Sequence, residues 1–253
     1  MVAEAEWGPA PFIFLEALMG MKRASRSAEF TFEEVTRLQY ANPEFVEAFR
    51  RLRGDRPRPH EARWLRRLLA VARSRRQMLG LRETQPPLIL DAGTGYGRDL
   101  AWLKAQPGVR AFGVDSSLAM LQAGRRALGL DSGALVQMDI RRLGLREASI
   151  DAVRAQALFH HLTRRAADAA LGELVRVLKP GGLLYLFVRY GTQEGFVNES
   201  GLGPRYFRYF TITSLRTLIR RHGLREIEYE RLRARPHLPS LVLLAEKLPL
   251  SRC

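Results

Sequence analysis

The sequence predicts an α/β fold in which a doubly wound, mostly parallel sheet of seven strands carries helices on both faces. Apolar runs of strand length alternate with helical periodicity over residues 88–248, and this alternation favours a parallel sheet with both faces covered. Residues 88–100 begin the series with a short apolar run, a loop with three glycines and the first turn of a helix. That order is the nucleotide-binding opening of doubly wound folds.

The remaining elements follow from apolar periodicity and from helix start and stop signals. Residues 190–210 are rich in glycine and aromatic residues and are predicted to be irregular. Helices are predicted over residues 97–106, after Ser116 or Ser117, before the turn at Pro180, and from Thr211 or Thr213 to Gly223. Strands are predicted at residues 88–92, 109–115, 133–136, 150–156, 183–189, 224–232 and 241–248.

Residues 1–86 stand outside this series and are predicted to form a helical N-terminal lid region, followed by the α/β domain at residues 87–253. Residues 10–21 form one apolar segment, and Thr31 with Glu34 has the form of a capping box. Pro43 is expected to open the next helix, and a longer helix is predicted to follow a break near residue 54. The lid prediction rests on position, because ligands of this fold lie beyond the carboxyl ends of the strands.

The chain has 253 residues, of which 46% are hydrophobic, and its formal net charge is +15, mostly from arginine. A basic surface indicates RNA or another polyanion as a partner, although arginine-rich codon usage produces the same composition. Residues 50–76 contain eleven arginines against Asp55 and Glu61. This segment either contacts phosphates or is a solvated helix face whose long stems cover apolar surface. The second interpretation is favoured, because charged helix faces are common in globular proteins.

The only cysteine is Cys253, so no disulfide framework or cysteine metal site is predicted. Glu4 and Glu6 stand where a secretory signal would be basic. The apolar run near residues 12–21 contains Glu16 and is too short to span a bilayer. We therefore expect a cytoplasmic protein without bound metal and without membrane association.

The glycine loop favours one cofactor class over another. Its spacing is Gly-x-Gly-x-Gly, and Arg98 stands where the third glycine of a dinucleotide site would be. Asp91 precedes the first glycine by two residues, where a carboxylate suits the ammonium group of S-adenosylmethionine, which carries no pyrophosphate. Residues 88–100 resemble motif I of the class I S-adenosylmethionine-dependent methyltransferases.

Four later segments are similar to the same family, and the resemblance covers residues 85–248. Asp115 ends the second predicted strand, where an acid accepts hydrogen bonds from ribose hydroxyls. Residues 137–140 resemble the segment that faces adenine, with a loop cap as the other interpretation of Asp139. Residues 149–162 are similar to the family's fourth motif, and residues 176–183 closely resemble its Arg-Val-Leu-Lys-Pro-Gly-Gly turn.

Toward the C-terminus the chain resembles a smaller group within this family. Residues 205–211 look like the Arg-Phe-Phe-x-Tyr-Tyr-Thr segment of small bacterial methyltransferases with poorly defined substrates. That group has Lys-Glu-Gly after the fifth strand, whereas this chain has Arg189, Tyr190 and Gly191, so a charged substrate contact of the group is in doubt.

The resemblance implies a Rossmann-like methyltransferase that uses S-adenosylmethionine and releases S-adenosylhomocysteine. His161 is the expected catalytic base, with packing beside the cofactor as the alternative. Substrate contacts are expected from His160, Tyr190, Arg205, Tyr206 and Tyr209. The cofactor is expected to contact Asp91, Gly93, Thr94, Gly95, Gly97, Asp115, Ser116, Asp139, Ile140 and Gln156.

Methyl transfer is an in-line displacement in which positioning supplies much of the rate, so no protein nucleophile is required. Arg154 and Gln156 replace acids at the end of the fourth predicted strand, which argues against a Mg²⁺-chelating site. The predicted reaction is methyl transfer to an O, N or S nucleophile of a small molecule. The alternatives are an RNA methyltransferase and a regulatory protein that binds the cofactor without turnover.

Overall fold

The computed structural model describes residues 32–78, 86–198, 202–232 and 239–249. Its main sheet has the order β3-β2-β1-β4-β5-β9-β8, and β6 and β7 form a separate two-stranded sheet. The strands are β1 Leu88–Ala92, β2 Arg110–Asp115, β3 Leu135–Gln137, β4 Ile150–Gln156, β5 Leu178–Arg189, β6 Glu194–Val197, β7 Arg205–Arg208, β8 Leu224–Leu232 and β9 Ser240–Lys247. The first five strands in this order, β3, β2, β1, β4 and β5, are parallel, and β9 runs antiparallel to both of its neighbours. The predicted seven-stranded, mostly parallel sheet is confirmed.

The helices alternate with the strands as the sequence pattern predicts. They are α1 Phe32–Ala41, α2 Pro43–Arg53, α3 Pro59–Met78, α4 Arg98–Lys104, α5 Leu118–Leu128, α6 Arg164–Val177 and α7 Ile212–Arg221, with a 3₁₀ turn at Phe159–His161. Ser117, not Ser116, caps α5, and its Oγ accepts from the Met120 N–H at 3.1 Å. Thr211 caps α7 in the same way.

Strand β5 begins five residues earlier than predicted, at Leu178 instead of residue 183. Leu178 pairs with Ile150, and the register shifts before Ala152 pairs with Leu183. The Lys-Pro-Gly-Gly turn is therefore an irregularity within the strand pairing, which apolar periodicity cannot show.

The prediction that residues 190–210 are irregular was wrong, because they contain the β6–β7 hairpin. Glu194 pairs with Arg208 and Val197 with Arg205. All four residues of β7 are buried, so β7 lacks the polar–apolar alternation that identifies a half-exposed strand. The glycines around it also indicate turns. For these two reasons the sequence pattern does not predict the hairpin.

Helices cover both faces of the main sheet. Helices α6 and α7 pack on one face with alternate side chains of β4, β5 and β9. On the other face, α3 contributes Trp64, Leu65 and Leu68 to a core shared with β1, β5 and β9. Helix α3 is thus part of the layered domain, and the division of the chain at residue 86 stays a prediction.

Helices α1 and α2 lie across the carboxyl ends of the central strands. The Gln39 amide donates to the Leu202 carbonyl at 2.7 Å, next to the hairpin. The Ser117 hydroxyl donates to the Tyr40 carbonyl at 2.6 Å, which joins α1 to α5. We call α1, α2 and the β6–β7 hairpin together the roof. The predicted apolar segment at residues 10–21 and Thr31 lie outside the described residues.

Within the described ranges, no helix is long and apolar enough to cross a membrane.

Candidate functional site

The site lies between β1 and β4, where the order of the strands in the sheet reverses. Strands β1 and β4 are neighbours, and the connections that follow them pack on opposite faces. In such folds the crevice at this switch point binds the ligand. Three segments meet there, namely the glycine loop after β1, the end of β2 at Asp115 and the turn after β4.

The three glycines of the loop all have left-handed backbone angles, with φ +67° at Gly93, +60° at Gly95 and +79° at Gly97. A Cβ at Gly93 would lie 2.8 Å from the Leu158 side chain, and one at Gly97 would lie 2.5 Å from Leu130 Cδ1. At these two positions an added Cβ would have to displace a leucine side chain. Among the described residues, and apart from its chain neighbours, the only atom within 4 Å of a Cβ added at Gly95 is Met120 Sδ, at 4.0 Å. The bare main chain of Gly95 therefore faces open space that suits a ligand.

Asp115 joins this loop to the turn before α5. Its Oδ2 accepts from the Gly95 N–H and its Oδ1 from the Ser117 N–H, both at 2.9 Å. Burial raises the pKa of the Asp115 carboxyl, and the two N–H donors oppose that rise. Each carboxylate oxygen has further lone-pair capacity, so the carboxylate can accept from the two hydroxyls of a ribose. The open side of Gly95 and this acceptor pair fit the nucleoside part of S-adenosylmethionine. Ser116, beside them, is exposed.

Asp91 has no exposed surface, and protein donors take both of its oxygens. Arg154 Nη1 donates to Oδ1 and the Thr94 hydroxyl donates to Oδ2, each at 2.7 Å. Burial raises the pKa of the Asp91 carboxyl, and the Arg154 guanidinium opposes the rise. The structure thus places Asp91 beneath the loop, and its predicted contact with the cofactor ammonium stays a prediction.

The residues expected at the adenine end lie after β3. Asp139 is exposed, accepts from the Arg141 N–H at 2.9 Å and pairs with the Arg141 side chain at 2.6 Å. Arg141 lowers the pKa of the Asp139 carboxyl. This is the loop cap that the sequence left open, while Ile140 packs into the core.

Gln156 at the end of β4 contacts the protein on the face covered by α3. Its Oε1 accepts from the Tyr185 hydroxyl at 2.8 Å, and its Nε2 donates to Glu61 at 3.4 Å. The expected cofactor contacts of Gln156 and Asp139 stay predictions.

The turn after β4 is the third segment of the crevice. Ala157 has φ +57°, a left-handed angle that costs a non-glycine residue free energy and is often found at functional sites. His161 follows, and its Nδ1 donates to the Tyr206 carbonyl at 2.8 Å. Its Nε2 therefore carries the lone pair and lies 3.4 Å from the Tyr40 hydroxyl. Burial and nearby Arg205 lower the pKa of His161 to about 3.

His160 lies deeper than His161 and is 2% exposed. Its ring stacks on Phe207 with centroids 5.1 Å apart and planes inclined by 12°. Burial lowers the pKa of His160 well below its usual value. Both histidines are thus neutral at physiological pH, and the lone pair of His161 Nε2 faces the Tyr40 hydroxyl of the roof.

The roof closes over these histidines with aromatic rings. Arg205 of β7 donates to the Tyr40 hydroxyl at 2.8 Å. The Arg205 guanidinium carbon lies within 6.0 Å of four ring centroids, those of Tyr40, Phe45, Phe49 and Phe207. Such contacts favour a buried cation, so Arg205 connects the N-terminal helices to the hairpin.

The other predicted substrate residues take different positions. Tyr206 is 1% exposed and donates from its hydroxyl to Glu194 at 2.7 Å, on the face of β7 opposite to Phe207. The Tyr190 ring lies under the Arg231 guanidinium at 3.9 Å. Tyr209 lies 6.2 Å from Phe207, centroid to centroid. The structure brings His160, His161 and Arg205 together. The substrate contacts expected of His160, Tyr190, Arg205, Tyr206 and Tyr209, and the catalytic role of His161, stay predictions.

Sequence reasoning did not include Phe207 and Arg154 among the site residues. The spacing of two between Arg205 and Phe207 would have placed Phe207 on the same strand face, had residues 205–208 been recognised as a strand. For Arg154, a charged residue in the middle of an apolar strand is itself a signal, because buried charges are paired.

Comparisons with known proteins agree with this geometry. Residues 89–182 match the methyltransferase domain family. A candidate methyltransferase of Encephalitozoon cuniculi is 36% identical over 106 residues, which are 42% of this chain and 46% of that protein. The match therefore spans less than half of that relative.

Solved structures share the fold at low identity. One is the 1,6-didemethyltoxoflavin-N1-methyltransferase of Burkholderia thailandensis, with bound 1,6-didemethyltoxoflavin and S-adenosylhomocysteine. It is 21% identical to this chain with a TM-score of 0.53, and the alignment covers 88% of this chain and 93% of that one. The cyclase SpnF is 16% identical with a TM-score of 0.61, and the alignment covers 88% and 99% of the two chains.

The described chain therefore has the fold of the class I S-adenosylmethionine-dependent methyltransferases, as predicted. Residues 89–182 are a methyltransferase domain. The expected enzyme class and its cofactor, S-adenosylmethionine, are confirmed at the level of this domain.

Proposed function

We propose that the protein transfers a methyl group from S-adenosylmethionine to an O, N or S nucleophile of a small molecule. The observation that carries this proposal is the joint arrangement of Asp115 and Gly95 at one side of the crevice and His161 at the other. The first two provide a hydroxyl acceptor beside bare main chain, and His161 provides a neutral imidazole beneath an aromatic roof.

S-adenosylmethionine supplies an activated methyl group when bound. The protein supplies position, which is where most of the rate of such a displacement originates. Asp115 would hold the ribose hydroxyls of the cofactor beside the bare main chain of Gly95. His161 Nε2 accepts a hydrogen bond from the nucleophile and orients it. Burial and Arg205 disfavour a charged His161, so this residue orients the nucleophile more effectively than it stores a proton.

The aromatic side chains near His161, where the methyl acceptor would bind, favour a small molecule with a flat apolar part. Tyr40, Phe45 and Phe49 contact one another with centroids 5.2–5.9 Å apart, and Phe49 reaches Tyr96 at 6.5 Å. Such a wall offers edges and faces to another ring. The exclusion of water by the roof would also strengthen the polar contacts made beneath it.

The RNA alternative has less support from the arginine-rich segment. Seven of its eleven arginines form ion pairs with carboxylates of this chain, namely Arg50, Arg51, Arg53, Arg63, Arg67, Arg75 and Arg76. An arginine already paired with a carboxylate contributes less to phosphate binding, because the pair must first be broken. The expected cytoplasmic location stays a prediction.

Calorimetry with S-adenosylmethionine, S-adenosylhomocysteine and NAD tests the cofactor, and we expect only the first two to bind. A panel of phenols, heteroaromatic amines and thiols, followed by mass spectrometry for a gain of 14 Da, then tests transfer. Since a cyclase shares this fold and fold alone does not fix chemistry, binding without any methylated product would support the regulatory alternative. Tight NAD binding would overturn the proposal.

A further inference from the structure

Arg154 is a buried arginine that contacts both ends of the glycine loop. It lies on β4 directly opposite Asp91 of β1 in the strand register, and its side chain is 3% exposed. One nitrogen of its guanidinium donates to Asp91 Oδ1 at 2.7 Å, and the other donates to Asp99 Oδ2. Asp91 precedes the loop, and Asp99 lies in the first turn of α4. One guanidinium thus links the two carboxylates that flank the segment with all three glycines.

The same ion pairs continue toward the roof. Arg98 pairs with Asp99 and with Glu61 of α3, each at 2.8 Å. Glu61 also pairs with Arg53, the last residue of α2, at 3.4 Å. Every residue in this series of ion pairs is buried except Arg53, whose side chain is 22% exposed. Burial makes such contacts strong but costly to desolvate. Loop, sheet and α2 are therefore joined by one series of charges.

We propose that Arg154 is a positioning residue that holds the glycine loop in its cofactor-binding shape before the cofactor arrives. This proposal rests on the proposed function, since it concerns the same cofactor. A guanidinium has the forked geometry to bridge two carboxylates, which an ammonium group does not. Arg154 acts through Asp91 and Asp99, and through them sets where the Gly93–Gly95 main chain meets the ligand.

Two features separate this role from charge compensation alone. Apolar residues of similar volume often replace a buried ion pair with no loss of stability. In addition, the Arg154 Nε–H is buried without a hydrogen-bond partner among the described residues, which costs free energy. The arrangement therefore does not maximise stability, and a bridge that shapes the loop accounts for its presence.

The experiment compares a single variant with a charge-balanced one. Arg154→Met leaves two buried carboxylates without their shared cation, and we expect it to lower the Tm. Adding Asp99→Asn restores the net charge of the cluster without restoring the bridge, and Asp91 still lacks its cation. We expect this double variant to recover part of the Tm and yet to bind S-adenosylhomocysteine at least tenfold more weakly than wild type by calorimetry. Wild-type affinity in the double variant would overturn the proposal.

A control and a second variant complete the test. Arg76→Met breaks a comparable buried pair with Asp151, 2.7 Å long, at the opposite end of β4, and should lower the Tm without changing the affinity. If the double variant does not fold, Arg154→Lys keeps the charge and removes the fork. It should lose affinity to a similar extent, and full affinity in Arg154→Lys would overturn the proposal.

Hydrogen exchange without ligand separates this proposal from the proposed function. We expect the amides of residues 93–98 to exchange faster in the double variant or in Arg154→Lys, and those of β5 to remain unchanged. Faster exchange with no S-adenosylhomocysteine binding in wild type would reject the proposed function alone. Unchanged exchange in the loop would reject the role of Arg154.

Discussion

At the scale of single residues, the cofactor site depends on a glycine that faces open space and a carboxylate that fixes it. Gly95 donates its N–H to Asp115 while its Cα side remains uncovered. Gly93 and Gly97 have the same left-handed angle but pack against Leu158 and Leu130. Three glycines that are equivalent in the sequence therefore have two different roles.

We predict that Gly95→Val abolishes S-adenosylhomocysteine binding in calorimetry, because a branched side chain would fill the space of the ligand. Valine at this position would have to adopt the left-handed φ of +60° of Gly95. The substitution should therefore also lower the free energy of unfolding by about 1–2 kcal/mol. Gly108→Val is the matched control, since Gly108 has φ +64° and, in the part of the chain that the structure describes, no atom beyond its chain neighbours lies within 4 Å of an added Cβ. It should have the same stability cost and normal binding. Equal losses of affinity in both variants would contradict the prediction.

His161 gives a prediction about pH. Its pKa is about 3 in the folded protein against 6.5 for a free side chain, so the unfolded chain binds a proton between these values while the folded chain does not. The free energy of unfolding should therefore fall as pH is lowered from 6.5, by at most about 1.4 kcal/mol per pH unit from this residue. Urea denaturation at pH 7, 6 and 5 should show a shallower fall in His161→Asn. An unchanged slope would show that His161 is not buried as a neutral group.

At the scale of elements, the roof covers the two histidines that follow β4, and we expect it to control access to them. Its N-terminal helices and its hairpin meet through the Tyr40 hydroxyl, which accepts from Arg205 and lies beside His161. The Tyr206 N–H also donates to the Thr36 hydroxyl at 3.0 Å. Side chains, rather than a continuous sheet, thus connect the two parts of the roof, and such contacts can open.

We predict that Tyr40→Phe accelerates tryptic cleavage after Arg205, because the lost hydroxyl releases the hairpin from α1. Saturating S-adenosylhomocysteine should slow the cleavage of the wild-type protein. Tyr229→Phe, at a ring that is 46% exposed on β8, should leave the cleavage rate unchanged. Equal cleavage rates in Tyr40→Phe and wild type would show that the hydroxyl does not hold the roof.

At the scale of the whole molecule, α3 binds the N-terminal region to the sheet. Its apolar face is fully buried against β5 and β9, while its arginines pair with Glu228, Glu230 and Glu246 of β8 and β9. Much of the basic charge of this segment is therefore matched inside the chain.

We predict that Leu68→Ala lowers the free energy of unfolding by about 2–5 kcal/mol in one cooperative transition, since Leu68 has no exposed surface in the shared core. Leu52→Ala, at a side chain that is 50% exposed, should change it by less than about 0.5 kcal/mol. Chemical denaturation followed by circular dichroism measures both. Two separate transitions in the wild-type protein would show instead that α3 belongs to an independent unit.

The net charge gives the last prediction. Mixed RNA should bind weakly and without saturation at physiological salt, because much of the arginine-rich segment is paired within the chain. Neutralising Arg63, Arg66 and Arg67 together should change this binding little. A saturable, submicromolar complex that these substitutions abolish would make RNA the preferred acceptor.

The order of elements could be predicted because each strand and helix has its own local pattern. β1 and β4 have the predicted bounds, and Pro43 opens α2 after Asn42. The glycine loop and Asp115 could be located because glycine spacing and an acid at a strand end are local signals. Strand β7 was not predicted because its four residues begin and end with buried arginines, so they form neither an apolar run nor a polar–apolar alternation.

The sequence by itself determined the α/β class, the position of the cofactor loop and the residues that could hold the ribose. Only the tertiary structure decided that Arg154 bridges Asp91 and Asp99, that Arg205 connects the hairpin to α1 and α2, and that α3 belongs to the core. The physical reason is distance along the chain. Arg154 is 63 residues from Asp91, and their contact depends on the register of two parallel strands that no local pattern specifies.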